Sequence, residues 1–223
     1  MTALNPVFTI ERQLTEGLIK HKGMSKAQAR ARALELMKQV RIPEPERRLQ
    51  QYPHELSGGQ ARRVGVARAL ALNPKLIIAD EPTAGLDVSV QGEILNLMAD
   101  LQAEHGLGYL IITHNLPVVR HIADRLAIMY LGRIVEEGRT AEVFARPVHP
   151  YTKALVEGVP QPDPDRRRMH VSISGEVPSL LNRPKGCDFA GRCPFAQDLC
   201  RVEKPPHVTM PDGRRHACHF PLG

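Results

Sequence analysis

The chain has 223 residues, of which 42% are hydrophobic, enough for one substantial core and a small second unit but not for two full domains. Its 30 Lys and Arg against 24 Asp and Glu give a formal net charge of +6, which permits contact with phosphates or anionic lipid, while 4% aromatic residues and no Trp leave little for single-stranded nucleic acid to stack on. No run approaches the ~20 apolar residues of a membrane span and Met1 to Pro6 lack the features of a secretory signal, so a cytoplasmic chain is expected.

From Ile10 to about Val40 the apolar spacing is helical. Ile10, Leu14 and Leu18 share a face, Gly23 breaks the run, and Ser25 to Gln28 has the form of a capping box that opens a second helix with Ala29, Ala33, Met37 and Val40 on one stripe. Pro43, Pro45 and Pro53 punctuate a connector. Ser57 and Gln60 repeat the capping pattern and open a helix to about Leu72, stopped by Asn73-Pro74. Short apolar runs then follow, Leu76 to Ala79 and Tyr109 to Ile112, separated by a helix from about Val90 to Glu104. This is the rhythm of a parallel sheet with crossover helices, expected to be buried on both faces. A helix from about Leu116 to Ile122 leads to a hairpin, Leu126 to Leu131 and Ile134 to Glu136, with its turn at Gly132-Arg133, and Thr140 to Ala145 closes the core. Beyond Pro147 the chain is Pro-rich and carries the basic run Arg166-Arg167-Arg168, whose plain reading is a solvated linker.

Two constellations carry chemistry. Ser57-Gly58-Gly59-Gln60 is a Gly-rich turn feeding a helix N-terminus, where unpaired backbone N–H groups and the helix dipole receive an anion, with phosphate the natural candidate. An apolar strand ending in Asp80 and Glu81 places two carboxylates where ligands gather in open α/β sheets. One can hold Mg2+ while the other orients an attacking water. His114, at the end of the second strand, can approach the same ligand, although a lone histidine is more often structural.

Cys187, Cys193, Cys200 and Cys218 form a C-x5-C-x6-C-x17-C pattern without the close pairs of most structural zinc sites. Three readings stay open for them: an iron–sulfur cluster, reduced thiols packed in a small loop-rich unit, or adventitious zinc. The nearby His207, His216 and His219 read as solvated.

With these motifs in order, the chain resembles the ATP-binding cassette (ABC) transporter ATPases. Leu56 to Gln60 is similar to the LSGGQ signature, Leu76 to Glu81 to Walker B with its catalytic glutamate, Ala84-Gly85-Leu86-Asp87 to the D-loop and His114 to the switch histidine. The stretch His149 to Leu155, followed by a cysteine-bearing tail, resembles the peptide/nickel importer subfamily, some members of which bind a [4Fe–4S] cluster in such a tail.

The resemblance implies an α/β fold: a partial P-loop NTPase core with a helical subdomain over residues 1–56, the C-terminal half of the ATPase core over 57–146, and a small extension over 147–223. It implies ATP and Mg2+, with Glu81 and His114 catalytic, Asp80 toward Mg2+, and Ser57, Gly58, Gly59, Gln60 and Asp87 toward nucleotide. The implied partners are a second ATPase subunit in a head-to-tail dimer, two membrane permeases and, indirectly, an extracytoplasmic solute-binding protein, with the chain peripheral on the cytoplasmic face of the membrane and no nucleic acid bound.

No G-x-x-x-x-G-K-[ST] occurs in the chain, so the cradle for the β- and γ-phosphates is missing. Met1 is accordingly expected to be an internal methionine of a longer protein. The sheet is expected to carry exposed edges and apolar faces, and the isolated chain to be inactive. Other readings are a catalytically silent subunit that lends only its signature helix, and a soluble ABC ATPase acting on DNA or ribosomes.

Overall fold

The computed structural model describes residues 4–159, 173 and 175–222, in two compact units, Met1–His114 and Asn115–Gly223. The Arg166-Arg167-Arg168 run lies outside the described residues.

The first unit begins with α1 (Ile10–Lys22), capped by Thr9 and ended by Gly23 in the left-handed conformation that glycine adopts without cost. Ser25 and Gln28 then form the reciprocal capping box of α2 (Lys26–Gln39). A short α3 (Pro45–Leu49) and a 3-10 turn at Pro53–Glu55 lead into α4 (Gly58–Leu70). Strand β1 (Leu76–Asp80), α5 (Val88–His105) and β2 (Gly108–Ile112) complete the unit as a parallel strand–helix–strand crossover.

The helical spacing read from sequence is the packing that results. Ile10, Leu14 and Leu18 from α1, Ala29, Ala33 and Met37 from α2, Val40, Val64 and Ala67, and Leu97 and Leu101 from α5 form one buried cluster. Each leucine fully buried there stabilises the fold by about 1.5–3 kcal/mol relative to exposure.

The sheet departs from expectation. Strands β1 and β2 pair in parallel from Leu76↔Gly108 to Asp80↔Ile112, but only one face is covered. Ile77 and Tyr109 pack on the core, whereas Leu76, Ile78, Leu110 and Ile112 remain 50–64% exposed. Two strands with their one crossover helix cover a single face, so burial on both sides does not occur. The missing phosphate loop predicts an exposed apolar face on this sheet, and that face is present.

The second unit contains α6 (Leu116–Ile122), β3 (Arg125–Tyr130), β4 (Arg133–Arg139), α7 (Thr140–Ala145), α8 (Pro150–Glu157), α9 (Asp198–Val202), β5 (Val208–Thr209) and β6 (Arg215–His216). The β3–β4 hairpin turns at Leu131 and Gly132, one residue earlier than the sequence suggests. Both turn residues have positive φ, 46° and 76°, as a two-residue hairpin loop matching the strand twist requires. Strands β6 and β5 extend this antiparallel sheet in the order β3-β4-β6-β5, so the Cys-containing segment delivers two strands to it. Tyr130, Tyr151 and Phe189 meet in tilted and edge-on contacts at 4.8–5.3 Å between ring centroids.

Glu136, fully buried on β4, accepts hydrogen bonds from the backbone N–H groups of Val148 (3.0 Å) and His149 (2.8 Å), which seats the start of α8.

Candidate functional site

The Leu56–Gln60 segment is built around Ser57. Its Oγ accepts from Gln60 N at 3.3 Å and its own N–H donates to Gln60 Oε1 at 3.2 Å, the reciprocal box that fixes the first turn of α4. The Ser57 hydroxyl proton and the remaining first-turn N–H groups stay available to an anion.

The two glycines answer a packing demand. A Cβ at Gly59 would stand 2.9 Å from Val90 Cγ1, and one at Gly58 would stand 3.3 Å from Leu86 Cδ2. The first turn of α4 therefore lies directly against the Gly85–Asp87 segment and the start of α5. Sequence spacing gives no hint of that neighbour. Asp87 caps α5, its Oδ1 accepting from Val90 N at 2.9 Å.

Ser57, Gly58, Gly59, Gln60, Gly85, Leu86 and Asp87 line one open cleft of about 470 Å3. Arg41, Arg63 and Glu93 also line it, and none of the three stood out in the sequence. Arg63 is paired with Glu93 at 2.7 Å and Arg41 with Asp100 at 2.7 Å, so both guanidinium charges are locally compensated.

Glu81 and His114 form a second group, outside that cleft. The in-step ending of β1 and β2 brings their outgoing loops side by side, with Glu81 N donating to Ile112 O at 2.8 Å. Glu81 sits at φ 46°, a strained value for a non-glycine residue, and this turns its carboxylate across the strand ends. There the carboxylate accepts from Thr113 Oγ1 (3.2 Å) and His114 N (3.2 Å), and stands 2.5 Å from His114 Nδ1. The His114 side-chain hydrogen bond, joined by its backbone N–H and by Thr113, holds the Glu81 carboxyl below the usual glutamate range despite some desolvation. A carboxylate only accepts, so Nδ1 carries the hydrogen of that contact and Nε2 points outward from an imidazole whose side chain is 84% exposed. Asp80 ends β1 exposed on the same face as Leu76 and Ile78.

The four cysteines are all free, and all four line one small apolar cavity with His149, Phe189 and Phe220. Burial raises the Cys187, Cys193 and Cys218 thiols, the last to about 11. Among the described residues no three His, Cys, Asp or Glu side chains stand together in an arrangement that could hold a metal ion. His216 is buried, at 4% exposure, rather than solvated as the sequence suggested, because β6 carries it into the sheet. Desolvation lowers its pKa. No helix among the described residues is long and apolar enough to cross a membrane.

Comparison with known proteins finds two family matches. The ABC transporter family profile matches residues 2–84, and the profile of the oligopeptide/dipeptide transporter C-terminal region matches residues 135–200. The chain is 52% identical to the probable peptide ABC transporter ATP-binding protein y4tS of Sinorhizobium fredii, over 98% of this chain and 61% of that protein. It is 44% identical to the dipeptide transport ATP-binding protein DppD of Escherichia coli, over 100% of this chain and 68% of that one. The chain thus spans about two thirds of the length of these relatives. Among solved structures, the ATP-binding cassette MJ0796 in a dimeric post-hydrolysis state with ADP and Pi is 36% identical, with a TM-score of 0.54 over 62% of this chain and 59% of that one.

Proposed function

The chain belongs to the ABC transporter ATP-binding proteins, and on that premise we propose that it is part of the ATP-hydrolysing subunit of an importer for oligopeptides, dipeptides or related solutes. The observation that carries this reading is the pairing of a capped, glycine-opened signature helix with the Glu81–His114 group at the strand ends. The names of the relatives, a peptide transporter and a dipeptide transporter subunit, favour the solute class.

In this reading the signature cleft serves a nucleotide held by a second ATPase subunit. Ser57 Oγ–H and the N–H groups at Gly58 and Gly59 face its terminal phosphate, at the positive end of the α4 dipole. Gln60 holds the turn, and Asp87 fixes the D-loop by capping α5. Asp80 offers the hard oxygen that Mg2+ takes, and the metal ion would neutralise phosphate charge there. Glu81 orients the attacking water, and His114 holds Glu81 through Nδ1 while presenting Nε2 to the phosphate. The dimer docks on two permeases, with a solute-binding protein upstream, and the chain is peripheral on the cytoplasmic face.

The absence of G-x-x-x-x-G-K-[ST] from these 223 residues makes the contribution one-sided. Calorimetric titration with MgATP is expected to give no binding by the isolated chain below millimolar concentration. Addition of a companion ATPase subunit with an intact phosphate loop should produce ATP-dependent pairing that Ser57→Arg abolishes. Tight ATP binding by the chain alone, or pairing indifferent to Ser57→Arg, refutes the reading.

The cysteine tail leaves a second reading to test. Thiolates are the donors a [4Fe–4S] cluster takes, and all four cysteines line one small cavity, but among the described residues they do not stand in an arrangement that could hold a metal. Iron analysis and visible absorption after anaerobic purification decide it: neither iron nor a charge-transfer band would leave packed thiols.

A further inference from the structure

The two arginines that follow the signature point to different neighbours. Arg63 reaches Glu93 on α5 at 2.7 Å and the Val40 carbonyl at 3.4 Å. Arg62 instead donates from Nη2 to the carbonyl oxygen of Ala84 at 3.0 Å. Ala84 lies in a tight turn closed by Ala84 N to Glu81 O (3.2 Å) and Leu86 N to Thr83 O (3.4 Å), with Gly85 at φ 74°. This turn has Glu81 at one end and Asp87, the cap of α5, at the other. The contacts of Gly58 with Leu86 and of Gly59 with Val90 press the same turn against the first turn of α4.

We propose that Arg62 is a positioning residue that clamps the 84–87 turn to the signature helix, so that the surface offered to a partner's nucleotide and the loop carrying this chain's own Glu81 move as one body. The inference rests on the ATPase reading above and adds to it the link between its two groups of residues. Apolar contact alone can slide, because Leu86 and Val90 meet glycines that offer no interlocking side chain. The Arg62 bond supplies direction. It is charge-assisted, and it takes up a carbonyl that the turn's own two hydrogen bonds do not use. Lysine at the position can still donate one hydrogen bond to that carbonyl, whereas alanine cannot.

The test compares the wild-type chain with Arg62→Ala and Arg62→Lys by amide hydrogen exchange at residues 84–87, together with pairing to a companion ATPase subunit driven by a non-hydrolysable ATP analogue with Mg2+. Arg62→Ala is expected to speed exchange in the turn about ten-fold, to leave the buried α1–α2 amides unchanged, and to weaken analogue-driven pairing. Arg62→Lys should restore most of both. Unchanged turn exchange in Arg62→Ala overturns the proposal, even if pairing weakens, because the arginine would then act on the nucleotide directly. Faster exchange with undiminished pairing overturns it too, as does loss of protection spread over the whole chain. Should the wild-type chain itself fail to pair, the ATPase reading fails, while the exchange data still decide whether the clamp exists.

Discussion

Nδ1 of His114 lies 2.5 Å from Oε1 of Glu81 across 33 residues of sequence, because β1 and β2 run in parallel and end in step. The carboxylate is thereby held ionised and aimed along the strand ends. His114→Ala removes the largest cause of the lowered Glu81 pKa, so that pKa should move upward. Carboxyl NMR titration of the chain checks this, and an unmoved Glu81 titration would show that Thr113 and the backbone suffice.

His149 gives the second unit an acid-sensitive joint. It is 1% exposed, its Nδ1 accepts from Tyr151 N at 3.1 Å, and burial together with His216 lowers its pKa from 6.5 to about 4. Between pH 6.5 and about 4 the unfolded chain binds a proton there that the folded chain refuses. The stabilisation is therefore whole above pH 6.5 and falls as the pH drops through that window, by about 3 kcal/mol in all. Urea unfolding at steps of pH should show the slope. His149→Asn keeps an acceptor at the head of α8 without titrating, and its stability should vary less over the same range.

Gly59→Ala separates packing from ligand approach. The new methyl meets Val90 Cγ1 at 2.9 Å, and a β-branched side chain in a helix has little rotamer freedom to yield. Overpacking of about 1–3 kcal/mol outweighs the helix-propensity gain of about 0.5–1 kcal/mol at its centre, so a net loss of up to about 2.5 kcal/mol is expected in thermal or urea unfolding. Val90→Ala in the same chain should recover most of it. A Gly59→Ala chain as stable as wild type would mean that α4 and α5 part easily.

The open face of the first sheet should govern solution behaviour. Ile78 is 64% and Leu110 51% exposed on adjacent strands, and such a face self-associates. Ile78→Lys with Leu110→Glu should lower the mass seen by light scattering at a given concentration while leaving the melting temperature nearly unchanged. Equal association by wild type and variant would place the adhesive surface elsewhere.

Much of this protein follows from sequence alone, because the features concerned are local. A capping box needs only Ser25 with Gln28 or Ser57 with Gln60, and a helix face needs only apolar residues three and four apart. The order of motifs from Leu56 to His114 identifies the family for the same reason. What required the tertiary structure are the relations between segments. The packing of Gly59 on Val90, the bond from Arg62 to Ala84, the burial of His216 and the gathering of four cysteines on one cavity each join residues 22 or more apart or depend on strand pairing. No local periodicity encodes such meetings. The one-sided burial of β1 and β2 is not legible in the sequence for a related reason: a continuous apolar run fixes that a strand forms, but not how many of its faces this chain covers.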